Sequence, residues 1–213
     1  MKQILVYSDS LSWGIIPGTR KRLSFDDRWP GVMENILNAE EKKYRVFENC
    51  LNGRRTAWDD PFKPGRNGLD GIGQVIEMHS PLELVIIMLG TNDFQSIHAY
   101  NAWHSSQGIH SVITAIRHAP VEPGMPLSPI LLLAPPPIQT PKGPIAPKFT
   151  EGEIKCLGLA EKYKQVAEAL NCFFFDSSQI ITASKIDGIH LDKTQHHALG
   201  CAIAEKIILE IMN

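Results

Sequence analysis

Four short segments supply the residue types needed to cleave an ester: SDSLSWG (8–14), NGR (52–54), GTND (90–93) and DGIH (187–190). Ser10 offers a hydroxyl, a weak nucleophile until a base takes its proton. His190 can be that base. Asp187, three residues before it, can accept from one ring nitrogen and leave the other facing the serine. The backbone N–H groups of Ser10 and Gly53, with the side-chain amide of Asn92, can hold the negative oxygen that forms when a carbonyl is attacked. Taken singly, each residue is ordinary: a serine after a strand caps a turn, DGIH reads as a β-turn, Gly53 as a turn glycine and Asn92 as an Asx turn. It is the combination that points to a serine hydrolase. Trp13, Phe94 and Ile189 are the expected apolar walls of the substrate pocket.

The remaining histidines fit this chemistry less well. His196 and His197 fall in the last helical pattern and are expected to face solvent or the helix start. No Cys, Asp or Glu cluster completes a metal set around them. His98, His104 and His110 scatter over a loop and a helix, as structural or pocket-lining residues. Asp93 is expected to cap the segment that follows it, outside the chemistry. No metal or cofactor site is predicted.

The elements that must position these residues alternate along the chain. Nearly continuous apolar runs at 4–8, 44–50, 82–89, 128–134 and 171–176 have the pattern of strands covered on both faces. Helical patterns lie between them, at about 27–39, 68–79, 105–118, 151–170 and 194–212. Such alternation predicts an α/β fold, a flavodoxin-like doubly wound parallel sheet of about five strands between two helical layers. Ligands in that architecture bind beyond the carboxyl ends of the strands. Ser10, Gly53 and Asn92 directly follow the first three strands, and DGIH follows the last. Three insertions leave the same edge and are expected to form a partial cover: 15–25, 94–106, and the proline-rich 134–149, which is expected to be a stiff extended loop.

At 213 residues the chain suits a single domain, 1–213, with no disulfide or metal staple. Its 21 Lys+Arg against 23 Asp+Glu, without a basic run, argue against nucleic acid as a partner. The four cysteines form no CxxC pair and are expected to be reduced and buried. No apolar stretch is long enough to span a membrane or to serve as a signal peptide, so the expected location is cytoplasmic.

The four segments resemble the four sequence blocks of the SGNH hydrolases, also called GDSL esterases, with Ser10, Gly53, Asn92 and His190 at the four naming positions. Within that family the chain is similar to the small bacterial arylesterase and acyltransferase branch, through SDSLSWG, DDRWPGV (26–32), LNGRRTAWDDP (51–61), LELVIIMLGTND (82–93), APPPI (134–138) and DGIHL (187–191). The resemblance implies a three-layer α/β/α fold and no metal or organic cofactor. It also implies hydrolysis of short-chain or aryl carboxylic esters through an acyl-serine, with acyl transfer to alcohols and assembly as a homo-oligomer. One position departs from the pattern: Ser8 stands where the family usually has glycine, a small intrusion into the turn that leaves every catalytic atom in place. Two rival readings remain. A flavodoxin-like module that binds a phosphate or small ligand would need a glycine-rich loop where Trp13 stands. A catalytically silent scaffold would use the aromatic insertions as a partner surface.

Overall fold

The computed structural model describes residues 1–211. Residue 212, the last of the predicted final helix, lies outside the described residues. Five strands form one parallel sheet: β1 (Lys2–Ser8), β2 (Tyr44–Cys50), β3 (Leu84–Met88), β4 (Ile130–Ala134) and β5 (Phe173–Asp176), in the order β2-β1-β3-β4-β5. Ile4 in β1 pairs with Val46 on one side and Leu84 on the other, which fixes the register of the three central strands.

The strand side chains alternate between two cores, as the period of a strand requires. Leu5, Tyr7, Val85, Ile87, Ile130 and Leu132 face one side and pack with residues of α3 (Ile72–His79), α4 (Ala102–Arg117) and α6 (Leu159–Ala169). Ile4, Val6, Leu84, Ile86, Leu131 and Leu133 face the other, against α2 (Trp29–Leu37) and α7 (Lys193–Lys206). Each fully buried Leu or Ile in these layers contributes about 1.5–3 kcal/mol. The three-layer α/β/α architecture expected from the alternation is the one observed.

Local signals explain where the helices depart from the predicted spans. The helix α4 begins three residues early because Asn101 accepts from the N–H groups of Trp103 and His104, while His104 Nδ1 accepts from the Asn101 N–H. His104 is thus a capping residue. The predicted 151–170 helix is broken into α5 (Gly152–Lys155) and α6, with Gly158 at φ 78° between them in the left-handed region that glycine tolerates. At the C-terminal end α7 gives way to a π-helical turn over Ile207–Ile211. The proline-rich loop is extended only at first, then tightens into a 3-10 turn over Gly143–Phe149.

In this strand order the chain turns to opposite sides of β1, and a crevice opens between the carboxyl ends of β1 and β3. Ser10 follows β1, and Asn92 follows β3 on the 3-10 turn Thr91–Phe94. The fold therefore sets the serine and the asparagine on the two lips of that crevice.

Candidate active site

Ser10 is the first residue of a single helical turn, α1 (Ser10–Trp13), capped by Asp9, whose carboxylate accepts from the Leu11 N–H at 2.9 Å. The turn ends at Gly14, at φ 85°. Ser8 fits the turn without leaving a polar group unsatisfied: its Oγ donates to the Met88 carbonyl at 2.6 Å and accepts from Ser12 Oγ at 2.6 Å. Ser12 Oγ in turn accepts from the Trp29 indole at 2.9 Å.

The DGIH segment closes on itself. His190 Nδ1 donates to Asp187 Oδ2 at 2.7 Å, and Asp187 Oδ1 accepts from the N–H groups of Ile189 and His190, both at 2.9 Å. Burial works to raise the Asp187 pKa, but the hydrogen bond and charge of His190 and the two backbone donors outweigh it and hold the carboxyl at about 2. The imidazole is thereby fixed by Nδ1, which leaves Nε2 as the ring nitrogen not held by Asp187. The segment is tied to the proline-rich loop by Gln139 N–H to the Gly188 carbonyl (2.9 Å) and Lys142 N–H to the Asp187 carbonyl (3.0 Å).

Ser10, Asn52, Gly53, Asn92, Ile189 and His190 line one cavity of about 60 Å³. No hydrogen bond joins Ser10 Oγ to His190 among the described residues; in resting sites such contacts are often long and tighten when substrate binds. The N–H groups of Ser10 and Gly53 donate to no other protein group among the described residues, so both remain free for an oxyanion. Gly53 holds its place at φ 85°, in the left-handed region.

Asn92 is held more tightly than the sequence suggested. Its amide nitrogen donates to Asp9 Oδ2 at 2.9 Å and to the Arg54 carbonyl at 3.1 Å. Its oxygen accepts from Gln95 Nε2 at 2.7 Å, and Gln95 accepts in turn from Arg55, which pairs with Asp60 at 2.9 Å. An oxyanion that accepted a hydrogen bond from the Asn92 amide would therefore share an N–H with one of these acceptors. Asp9 is fully buried, and burial pushes its pKa up to about 7 against the opposing hydrogen bonds from Leu11 and Asn92, the Arg54 guanidinium adding a weaker pull downward.

Other expected residues lie elsewhere. Phe94 is wholly buried in the core beside β3 rather than in the cavity wall, because the 3-10 turn points it inward under the sheet edge. Trp13 is half-buried and stacks with the Arg22 guanidinium, 4.7 Å from the ring centroid, on the outer side of its turn. The apolar walls near Ser10 are Ile15, Ile145, Phe149 and Ile189. Two of the three insertions thus supply lining residues, and the 94–106 insertion does not. Asp93 does not cap a helix. It is buried, accepts from the Thr56 N–H (3.0 Å), Thr56 Oγ1 (2.7 Å) and Ser105 Oγ (2.7 Å), and ties the second and third blocks together. His196 does not face solvent: it is fully buried against α2, where its Nδ1 accepts from the Trp29 N–H at 3.3 Å. Sequence reasoning missed Asp9, Gln95 and Arg55 as supports, although Asp9 is the neighbour of Ser10 and Gln95 lies one turn beyond Asn92. It also missed Arg20, Lys63 and Lys148 at the cavity wall.

A serine at a strand end, a carboxylate-locked imidazole and amide donors stand around one small cavity at the switch point of a parallel α/β sheet, the parts that a serine-dependent hydrolase would require. The chain belongs to the GDSL-like lipase/acylhydrolase family, whose model matches residues 9–198. Solved structures agree in fold and in length. An M. smegmatis aryl esterase superposes with a TM-score of 0.91 at 32% identity, covering 98% of this chain and 99% of that one. A carbohydrate acetylesterase from Sinorhizobium meliloti gives the same TM-score of 0.91 at 32% identity, over 98% and 99% of the two chains. A putative arylesterase from Agrobacterium tumefaciens gives 0.88 at 34% identity over the full length of both. Among curated proteins none matches the sequence. The protein is a carboxylic ester hydrolase. No described helix is long and apolar enough to cross a membrane, and the described residues contain no group of three or more His, Cys, Asp or Glu placed to hold a metal ion.

Proposed function

We propose that the protein hydrolyses esters of short acyl groups, aryl or carbohydrate acetates among them, through an acyl-Ser10 intermediate. His190 takes the Ser10 proton as the hydroxyl attacks the carbonyl, and Asp187 stabilises the imidazolium that results. The Ser10 and Gly53 N–H groups and the Asn92 amide receive the oxyanion. His190 then returns the proton to the departing alcohol, and water attacks the acyl-serine by the same route in reverse. An alcohol in place of water gives acyl transfer from the same intermediate.

The observation that carries this reading is the convergence of Ser10, the Asp187-locked His190 and two unspent backbone N–H groups on one cavity. The cavity's small volume, about 60 Å³, supports an acetyl-sized acyl group over a long chain. Assembly as a homo-oligomer is part of this reading, and exposed apolar side chains such as Phe62, Ile154 and Leu157 are the ones it could cover.

A fluorophosphonate probe tests the nucleophile. It is expected to label the wild-type protein at Ser10 and to leave Ser10→Ala unlabelled, with p-nitrophenyl acetate turnover lost in parallel. Labelling of another serine, or full turnover by Ser10→Ala, overturns the assignment. Addition of a competing alcohol separates hydrolysis from transfer, and sedimentation gives the subunit number.

A further inference from the structure

The catalytic cavity is walled by positive charge although the chain as a whole is acidic, with a formal charge of −2. Arg20, Lys63 and Lys148 line the same cavity as Ser10 and His190. Arg20 and Lys148 continue, with Lys142, into an adjoining groove of about 490 Å³ that begins at His190 and runs past Ile145 and Ile186. The cations arrive from separate segments: Arg20 from the 15–25 insertion, Lys63 from the loop after β2, and Lys142 and Lys148 from the proline-rich loop. Their convergence is a product of the fold.

None of these charges is neutralised by a carboxylate among the described residues, and Lys142 Nζ donates only to the Lys185 carbonyl at 3.3 Å. Among the described residues, Arg20, Lys63 and Lys148 make no ion pair, whereas cations elsewhere do, as in Lys2–Glu83, Arg28–Glu48, Lys193–Asp27 and Lys206–Glu210. The neighbouring carboxylates are already engaged. Asp60 is taken by Arg55 and by the N–H groups of Phe62 and Lys63, and Asp187 by His190. Both lysines sit below the ordinary lysine pKa: Lys63 through partial loss of water and then the nearby Arg66 and Arg20, and Lys148 through partial loss of water and then Arg55, Lys63 and Arg20, with Asp60 opposing in each case. An anion placed among them relieves this repulsion.

The side of the ester that meets these charges follows from the shape. The space beside Ser10 holds little more than a short acyl group, while His190, which returns the proton to the leaving alcohol, borders both the cavity and the groove. On the esterase reading given above, we infer that the site selects esters whose alcohol portion carries an anionic group, a carboxylate or a phosphate, held by Arg20, Lys142 and Lys148. A cleft lined by one sign of charge typically raises the encounter rate of opposite charges by about 10- to 1,000-fold.

The test compares 4-acetoxybenzoate with its neutral methyl ester, methyl 4-acetoxybenzoate, each rate being divided by that of its hydroxide-catalysed hydrolysis. At low ionic strength kcat/KM is expected to favour the anionic ester by about tenfold or more, and the preference to shrink as salt screens the cations. In Lys148→Met the anionic-to-neutral ratio should fall, and in Lys148→Glu it should fall further; Arg20→Met supplies a second variant on a different loop. A 4-acetoxyphenyl phosphate arm tells a phosphate preference from a carboxylate one. A wild-type ratio at or below one, or a ratio untouched by salt and by all three variants, overturns the inference while leaving the esterase intact. A protein that hydrolyses none of these esters removes the proposed aryl-acetate reading and the inference together.

Discussion

The side-chain amide of Asn92 donates to the carboxylate of Asp9 at 2.9 Å, joining the loop after β3 to the residue that precedes Ser10. With Gln95 on its oxygen and the Arg54 carbonyl on its nitrogen, Asn92 has no free rotamer. Its orientation is set before any substrate arrives, which is what an oxyanion donor requires. Asn92→Ala is expected to lower kcat by roughly 10²–10³ with little change in KM, the cost of one such donor. Asp9→Asn keeps the Asn92 amide but loses one of the two acceptor atoms that orient it. It is expected to lower kcat by about 10- to 100-fold, again with little effect on KM. Steady-state kinetics with p-nitrophenyl acetate reads both; a change confined to KM would make Asn92 a substrate-binding residue instead.

Ser8 is the one departure from the family's first block, and it is built into the fold. It links the Met88 carbonyl to Ser12 Oγ, which accepts from Trp29. Ser8→Gly leaves the buried Ser12 hydroxyl without its acceptor, at a cost of about 1–3 kcal/mol. Urea unfolding should show that loss, while kcat stays within about twofold of wild type. A Ser8→Gly protein as stable as wild type would mean that Ser12 finds another acceptor.

The sheet and the site were legible to different degrees, and for physical reasons. The central strands β1, β3 and β4, covered on both faces, are apolar over most of their length, and the half-buried edge strands β2 and β5 keep enough apolar residues to be read as well; a parallel sheet then puts whatever follows its strands at one edge. That logic is sufficient to bring Ser10, Gly53, Asn92 and His190 together. It says nothing of where a side chain points once the backbone curls. Phe94 and Trp13 were expected in the cavity wall as large apolar residues near the nucleophile, but one-turn 3-10 and helical segments rotate them into the core and onto Arg22 respectively. Buried polar supports are just as hard to read. Asp93 and His196 have the residue types of surface positions, and only tertiary partners, Thr56 and Ser105 for one and Trp29 for the other, make their burial tolerable.

Those buried groups give the stability a pH dependence of opposing signs. Burial pushes the Asp93 carboxyl from 3.8 up to about 6, against the hydrogen bonds from Ser105 and Thr56 and the nearby Arg55, so the fold favours its protonated form. Its contribution is complete below pH 3.8 and is lost as pH rises through about 6. Burial and then Arg28 lower the His196 pKa from 6.5 to about 3, so this side chain costs stability as pH falls through that window. Asp93→Asn isolates one sign: the hydroxyls of Thr56 and Ser105 can reverse to accept from the new amide. Between pH 4 and pH 7 the stability of Asp93→Asn relative to wild type should shift in its favour by on the order of 2 kcal/mol. Urea titrations at the two pH values measure it, and parallel profiles would mean that Asp93 is ionised in the folded protein throughout that range.

Gly188 is where the Asp187–His190 loop depends on the absence of a side chain. It sits at φ 79°, and a Cβ there would lie 2.5 Å from the Thr140 carbonyl oxygen and 2.9 Å from that of Gln139, both backbone atoms of the proline-rich loop. Neither the glycine nor the loop can yield cheaply, because the Gly188 carbonyl accepts from Gln139 and the Asp187 carbonyl from Lys142 in the same contact. Gly188→Ala therefore must separate the two loops, and with them the Asp187–His190 pair from the wall formed by Ile145 and Phe149. The expected result is a stability loss of about 2–4 kcal/mol, from steric overlap plus the left-handed backbone, together with a fall in kcat of at least about tenfold as His190 leaves its position. The same substitution at Gly124, also at positive φ but with open space around its Cβ, controls for backbone strain alone and should leave kcat unchanged. If Gly188→Ala and Gly124→Ala behave alike in both stability and kcat, the contact between the two loops does not position His190.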